Sequence, residues 1–161
     1  MSLFSLKRSA GLAVGLVMAF AAVGGSAMAS IDANRVITAR EANFKKIGTA
    51  FKAIIDGLKA DTPDTKAMAV QAKIIKDLSP KIVHWFPKGT GPESGLKTGA
   101  KAEIWTDWAT FASAAKGLQT ESAKLEMVAK TGNVDAIKAQ VKATGGACGT
   151  CHTKFRAQEK K

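Results

Sequence analysis

The stretch Val134-Asp135-Ala136-Ile137-Lys138-Ala139-Gln140-Val141-Lys142-Ala143-Thr144-Gly145-Gly146-Ala147-Cys148-Gly149-Thr150-Cys151-His152-Thr153-Lys154-Phe155 contains no strand-like alternation. Its apolar and chemically distinctive side chains fall instead at Val134, Ile137, Val141, Cys148, Cys151, His152 and Phe155, spacings that a helix of about 3.6 residues per turn gathers on one face. Asn133 stands where an N-cap belongs, and these seven positions are expected to be buried.

The same period recurs upstream. Phe44, Ile47, Phe51, Ile54 and Leu58 form one stripe, ending between Gly57 and Asp61. Thr62-Pro63-Asp64 reads as a restart, with Thr62 as N-cap and Pro63 at the first helical position. Ala67, Val70, Ile74, Ile75 and Leu78 form the second stripe. A third runs through Ile104, Trp105, Trp108, Phe111, Ala115, Leu118, Ser122 and Leu125 to Thr131-Gly132. Between the second and third, Pro87, Gly89, Gly91, Pro92, Gly95 and Gly99 mark a long loop, the kind of segment that tends to carry function. The expected fold class is therefore all-α, an antiparallel four-helix bundle of helices roughly 20 to 28 residues long.

The chain has 161 residues, which suits one domain. Lys7 and Arg8 precede an apolar run from about Ala10 to Val23, and Ala27-Met28-Ala29 supplies the small residues of a cleavage site. Residues 1–29 are thus expected to be a secretory signal peptide. The run is too short to span a bilayer, so residues 30–161 form the expected mature domain, with no membrane span. Export from a bacterial cytoplasm places the domain in the periplasm. Removing Lys7 and Arg8 from the 24 cationic side chains leaves 22 against 13 acidic ones, a mature net charge of +9. Nucleic acid is not an expected partner outside the cytoplasm, and the charge points toward an acidic protein partner or a membrane surface.

The only two cysteines are those of Cys148-Gly-Thr-Cys151, and His152 follows directly. On a helix these three share a face, so two sulfurs can meet the two vinyl groups of one porphyrin while the imidazole meets the iron. One haem c, bonded through Cys148 and Cys151 with His152 as axial ligand, is the expected cofactor. A thioredoxin-like pair would follow a strand and begin a helix, which this chain does not offer. A zinc site would need distant His84 and would strain adjacent ligands, while a simple disulfide stays open but leaves His152 unexplained. Only nine residues follow His152, so a sixth ligand would have to come from upstream. Met68 and Met127 are the methionines left after the signal, and both are spaced like core residues. His84 suits the negative end of the second helix and is not expected to ligate iron.

With its bundle pattern and carboxyl-terminal motif, the chain resembles the cytochrome c prime family. The resemblance lies in Arg40-Glu41-Ala42-Asn43-Phe44-Lys45, Phe86-Pro87-Lys88-Gly89-Thr90-Gly91-Pro92-Glu93, Glu103-Ile104-Trp105 and, most specifically, Gly146 through Arg156. It implies that Arg40 pairs with a haem propionate, with Glu41 at the same edge, that Thr90 and Gly91 pack over the porphyrin, and that Arg156 lies near the proximal imidazole. Six-coordinate relatives resemble this pattern with methionine where Phe44 stands. Phenylalanine cannot ligate iron, so five-coordinate, high-spin iron is expected. The resemblance implies electron transport to and from a redox partner, or alternatively the binding of a small gas such as nitric oxide or carbon monoxide. Peroxide chemistry would need a distal acid or base, which Phe44 does not supply, so no enzymatic activity is expected. A homodimer through a second stripe on the first helix, containing Ile37 and Ala50, is a further expectation.

Overall fold

A computed structural model describes residues 24–158, with side chains from residue 32 onward. The signal segment through residue 23 lies outside the described residues. The elements are α1 (Gly24–Gly57), α2 (Thr65–Leu78), a 3-10 segment (Ser79–Trp85), a 3-10 turn (Pro92–Ser94), α3 (Glu103–Thr106), α4 (Trp108–Thr131) and α5 (Val134–Phe155). No strand occurs among the described residues, apart from one isolated antiparallel bridge between Ala100 and Arg156. The fold is the all-α four-helix bundle expected, built from α1, α2, α4 and α5.

On α1 the buried positions are Ala33, Ile37, Arg40, Ile47, Ala50 and Ile54. Ile37 is therefore not on a second stripe: it lies seven residues before Phe44 and extends the first one inward. With Ile37 and Ala50 only 3 and 2 % exposed, the outward face expected of them does not exist in this fold. The restart after α1 also differs from expectation. The carboxylate of Asp64, not Thr62, caps α2 by accepting the Ala67 N–H at 2.9 Å. Pro63 thus precedes the helix instead of opening it.

The buried face of α2 is displaced by one residue from the stripe read in sequence. Met68, Ala72 and Ile75 are buried, whereas Val70 and Ile74 are exposed. Two stripes compete here, and packing selects the one that continues through Ser79, Ile82 and Phe86. Pro80 follows immediately, and a proline removes a backbone donor and clashes with the preceding helical turn. At this point α2 tightens into the 3-10 segment, which is why it is only 14 residues long. Ser79 shares a buried hydroxyl–hydroxyl hydrogen bond of 3.0 Å with Ser122 of α4, joining the two helices where the geometry changes.

The third stripe is interrupted. Asp107 leaves the helical conformation between α3 and α4, and its carboxylate caps α4 at Thr110 N–H. From Phe111 through Ala115, Leu118, Ser122, Leu125 and Ala129 the buried pattern follows expectation, but Trp108 and Met127 are exposed. Met127 lies outside this stripe, so only Met68 has the core role expected of both methionines. Gly132 ends α4 in the left-handed conformation, φ 76°, where a residue without Cβ carries no steric cost. Asn133 caps α5 through Ala136 N–H, as expected.

Glu126 of α4 is nearly buried and accepts from Lys76 of α2 at 3.1 Å and from Lys130 at 2.8 Å. These two partners, Lys130 first, hold its carboxyl below the ordinary value of 4.5. A depressed carboxyl contributes stability that is present above its unfolded value and drains away as pH falls through the folded one. Thermal melting of the native protein should therefore lose a component below pH 4.5 that Glu126→Gln lacks. Parallel melting curves for the two proteins across that range would remove Glu126 from the account.

Candidate functional site

The helices pack α1 on α2, α2 on α4 and α4 on α5, but α1 and α5 approach each other only sparsely. These two helices thus stand apart along one seam of the bundle. The ring of Phe51 crosses this seam above Gly145, 3.5 Å from where a Cβ would stand. That contact fixes which faces look across it. One and two turns beyond Gly145 on α5 come Cys148 and His152, while Phe44 stands two turns before Phe51 on α1.

Cys148 and Cys151 are half-buried, not joined to one another, and packed against the core. Burial pushes both thiols up, and neighbouring Cys148 contributes to raising Cys151 to about 11. Redox-active pairs and zinc thiolates need the opposite shift, so neither alternative gains from this environment. His152, expected to be buried, is exposed. Thr144, two turns earlier on α5, is fully buried. Val134 and Val141, also expected inside, are only half-buried. The protein mass beside His152 lowers its imidazole from the ordinary value, and cationic Arg156 adds to this. The N–H of Arg156 donates to the His152 carbonyl at 3.1 Å, where α5 ends and the chain turns to pair with Gly99 and Lys101.

The loop from Phe86 to Ala100 is fastened to α1 by Arg40. Its guanidinium donates to Thr90 Oγ1 at 3.0 Å, to the Thr90 carbonyl at 2.7 Å and to Thr98 Oγ1 at 2.6 Å. It also stands 4.8 Å from the centre of the Phe86 ring. Arg40 is only 3 % exposed, and burial lowers it from its ordinary value against the opposing pull of Glu41 and Glu93. Such a group stays charged in proteins, and the carboxylates of Glu41 and Glu93 act on it through charge attraction without hydrogen-bonding to it. Glu41 is exposed on the same helix. Gly91 is buried beside Trp105, whose ring would be 2.7 Å from a Cβ there, so no larger residue fits without moving the indole. Thr98 went unnoticed in the sequence, where it looks like any loop hydroxyl, and Trp105, read there as part of the third stripe, is the wall beside Gly91.

Phe44 is half-buried and held edge-on by Trp85, with ring centres 5.2 Å apart, and lies 6.1 Å from Phe86. The structure thus gathers Arg40, Thr90 and Gly91 around the loop, and Cys148, Cys151, His152 and Arg156 along the end of α5. Phe44 stands between the two groups on α1.

The residues fit a porphyrin on three counts. The helices α1 and α5 stand apart along one side of the bundle, two half-buried thiols three residues apart lie at the end of α5 with an imidazole beside them, and the buried guanidinium of Arg40 makes its hydrogen bonds to threonine oxygens and none to a carboxylate. A helical bundle that carries Cys-x-x-Cys-His along the open edge of its last helix is a c-type haem protein. Residues 35–156 match the family described as Cytochrome C'. The chain belongs to the cytochrome c' family. It is 34% identical over 144 residues to the cytochrome c' of Rhodospirillum rubrum, covering 88% of this chain and 96% of that one. The crystal structure of cytochrome c' from Rubrivivax gelatinosus superposes with a TM-score of 0.68 at 34% identity, over 75% of this chain and 94% of that chain. A nitric oxide complex of a variant cytochrome c prime from Alcaligenes xylosoxidans shares the fold, with a TM-score of 0.70 at 24% identity, over 78% of this chain and 97% of that one. No helix among the described residues is long and apolar enough to cross a membrane.

Proposed function

We propose that this protein is a periplasmic electron carrier, exported by residues 1–29, whose mature domain of residues 30–161 holds one haem c in the seam between α1 and α5. The observation that carries the reading is the unjoined, half-buried pair Cys148 and Cys151 with His152 adjacent, on the last turns of α5 where α1 stands apart. Bound there, the haem supplies one-electron chemistry between ferric and ferrous states. The residues supply everything else. Cys148 and Cys151 tether the porphyrin through thioethers, and His152 offers its imidazole as the single protein ligand. Arg40 offers charge to a propionate, with Glu41 at the same edge, and Thr90 and Gly91 close the loop beside it. Arg156 keeps a positive charge near the imidazole. Phe44, braced by Trp85 and Phe86, carries a ring that cannot coordinate a metal, so a haem held by His152 would be five-coordinate and high-spin. No acid or base is placed on that side by Phe44, so the role is not enzymatic.

The absorption spectrum of protein matured with a haem-attachment system tests this. A Soret band with a high-spin profile, shifting on reduction, is the expected result, together with the mass of the polypeptide plus one porphyrin. A colourless protein with the mass of bare polypeptide would end the proposal.

A second reading, binding of nitric oxide or carbon monoxide, is favoured by the half-buried placement of Phe44. A ring that is only half-buried would restrict access to a vacant coordination position without sealing it. Phe44→Ala should raise the association rate of carbon monoxide by on the order of tenfold, equivalent to about 1.4 kcal/mol of barrier. An unchanged rate in flash photolysis would show that this ring does not control access.

A further inference from the structure

Where the 3-10 segment meets α3 and α4, the surface opens into a cleft of about 440 Å³. Its floor is apolar, made by Val83, Phe86, Pro87, Trp105 and Trp108. Its polar lining is the imidazole of His84 and the ammonium of Lys88, and no carboxylate lines it. Trp108 is 41 % exposed, the only aromatic among the large exposed apolar side chains described. The indole nitrogen of Trp105 is already engaged, donating to the carbonyls of Phe86 at 3.1 Å and Pro87 at 3.2 Å. The cleft is thus a rigid apolar floor with a basic edge.

What lies behind it connects it to the seam. Trp108 packs on Phe111, with ring centres 5.4 Å apart, and Phe111 packs on Phe86 at 4.9 Å and on Phe155 at 5.4 Å. Phe155 follows His152 by three residues on α5, while Phe86 leads to Phe44. From the cleft, successive ring contacts therefore reach Phe155 on the last turn of α5 and Phe44 on α1.

We propose that this cleft is the docking surface for the acidic face of a small electron-transfer protein. The proposal rests on the electron-carrier reading and gives that carrier its point of entry. Exposed tryptophan set in an apolar floor is the side chain type that most often dominates binding energy at interfaces. The basic edge selects an acidic partner, and the mature polypeptide's net charge of +9 attracts one from a distance. One electron passes from the reduced partner to this protein, which goes from its ferric to its ferrous form; no bond forms or breaks.

The test is stopped-flow reduction of the holoprotein by a reduced acidic [2Fe–2S] ferredoxin at low ionic strength, with ascorbate as the small-molecule control. Lys88→Glu should lower the second-order rate with ferredoxin by on the order of tenfold and flatten its salt dependence. Trp108→Leu, which keeps apolar volume over Phe111, should lower it comparably. Both variants should keep the native Soret band and the native rate with ascorbate. Native ferredoxin rates in both variants would overturn the docking surface, and so would equal losses with ascorbate, which would report a change at the haem. A native protein without a Soret band would instead overturn the carrier reading beneath it.

Discussion

Cys148→Ser combined with Cys151→Ser, matured under haem-attachment conditions, should give protein from which acidified acetone removes all porphyrin, while the native protein retains all of it. The argument begins with exposure. His152 is at the surface and Cys148 and Cys151 are only half-buried, so solvent reaches the ligand side of the seam. A porphyrin held by one imidazole and by packing alone would exchange with the surroundings. Two covalent bonds to one helix turn that exchange into an intramolecular equilibrium with an effective concentration in the millimolar range or above. Occupancy also acts on the fold, because a group bound to the native state alone stabilises it by about 2.7 kcal/mol at a hundred times its dissociation constant. The sparse approach of α1 to α5 means that the seam has little polypeptide packing to fall back on. Losing the tether should therefore lower the melting temperature by about 10 °C for a chain of this size. Porphyrin that resists extraction from the double variant would show that the thiols are not its attachment points.

Phe111→Ala should cost about 3–5 kcal/mol of stability, the range for removing a large aromatic from a closed core. Phe111 is 1 % exposed and touches Phe86 of the loop, Trp108 of its own helix and Phe155 of α5. Those three come from separate parts of the chain, so the void left behind cannot be filled by shifting one element. Phe111→Leu, which restores part of the volume, should cost less than half as much. Chemical denaturation of both variants decides it. A loss below about 1 kcal/mol for Phe111→Ala would mean that the ring cluster collapses freely around the gap. The haem spectrum gives an independent readout, since Phe155 follows His152 by only three residues.

Much of this fold was legible in one dimension because helical period and capping are local. The stripes of α1 and α4 needed only spacing, the Asn133 cap needed only the residue type before the helix, and Gly132 needed only the absence of Cβ. The failures share a cause. On α2, Val70 and Ile74 are as apolar as Met68 and Ala72, and only the partner helix decides which face it accepts. Thr62 and Asp64 are both good caps, and the backbone conformation after Pro63 chooses between them. Trp108 and Met127 are apolar residues left outside, because Asp107 interrupts the helix in one case and the stripe passes by in the other. Ile37 and Ala50 were assigned outward because a single helix has no inside until its neighbours arrive.

At the site the division is similar. Cys148, Cys151 and His152 follow from composition and spacing, since sulfur, sulfur and imidazole on one helical turn specify their chemistry before any packing is known. What spacing could not contain is the separation of α1 from α5 beside them. That separation is a property of four helices at once, since α1 packs on α2 and α5 on α4 while α1 and α5 approach only sparsely. The same holds for Arg40, whose burial and bonds to Thr90 and Thr98 join residues about fifty positions apart in the chain. Local chemistry was written in the order of residues; which surfaces close and which stay open was decided only by packing, because burial depends on contacts between segments that sequence spacing does not relate.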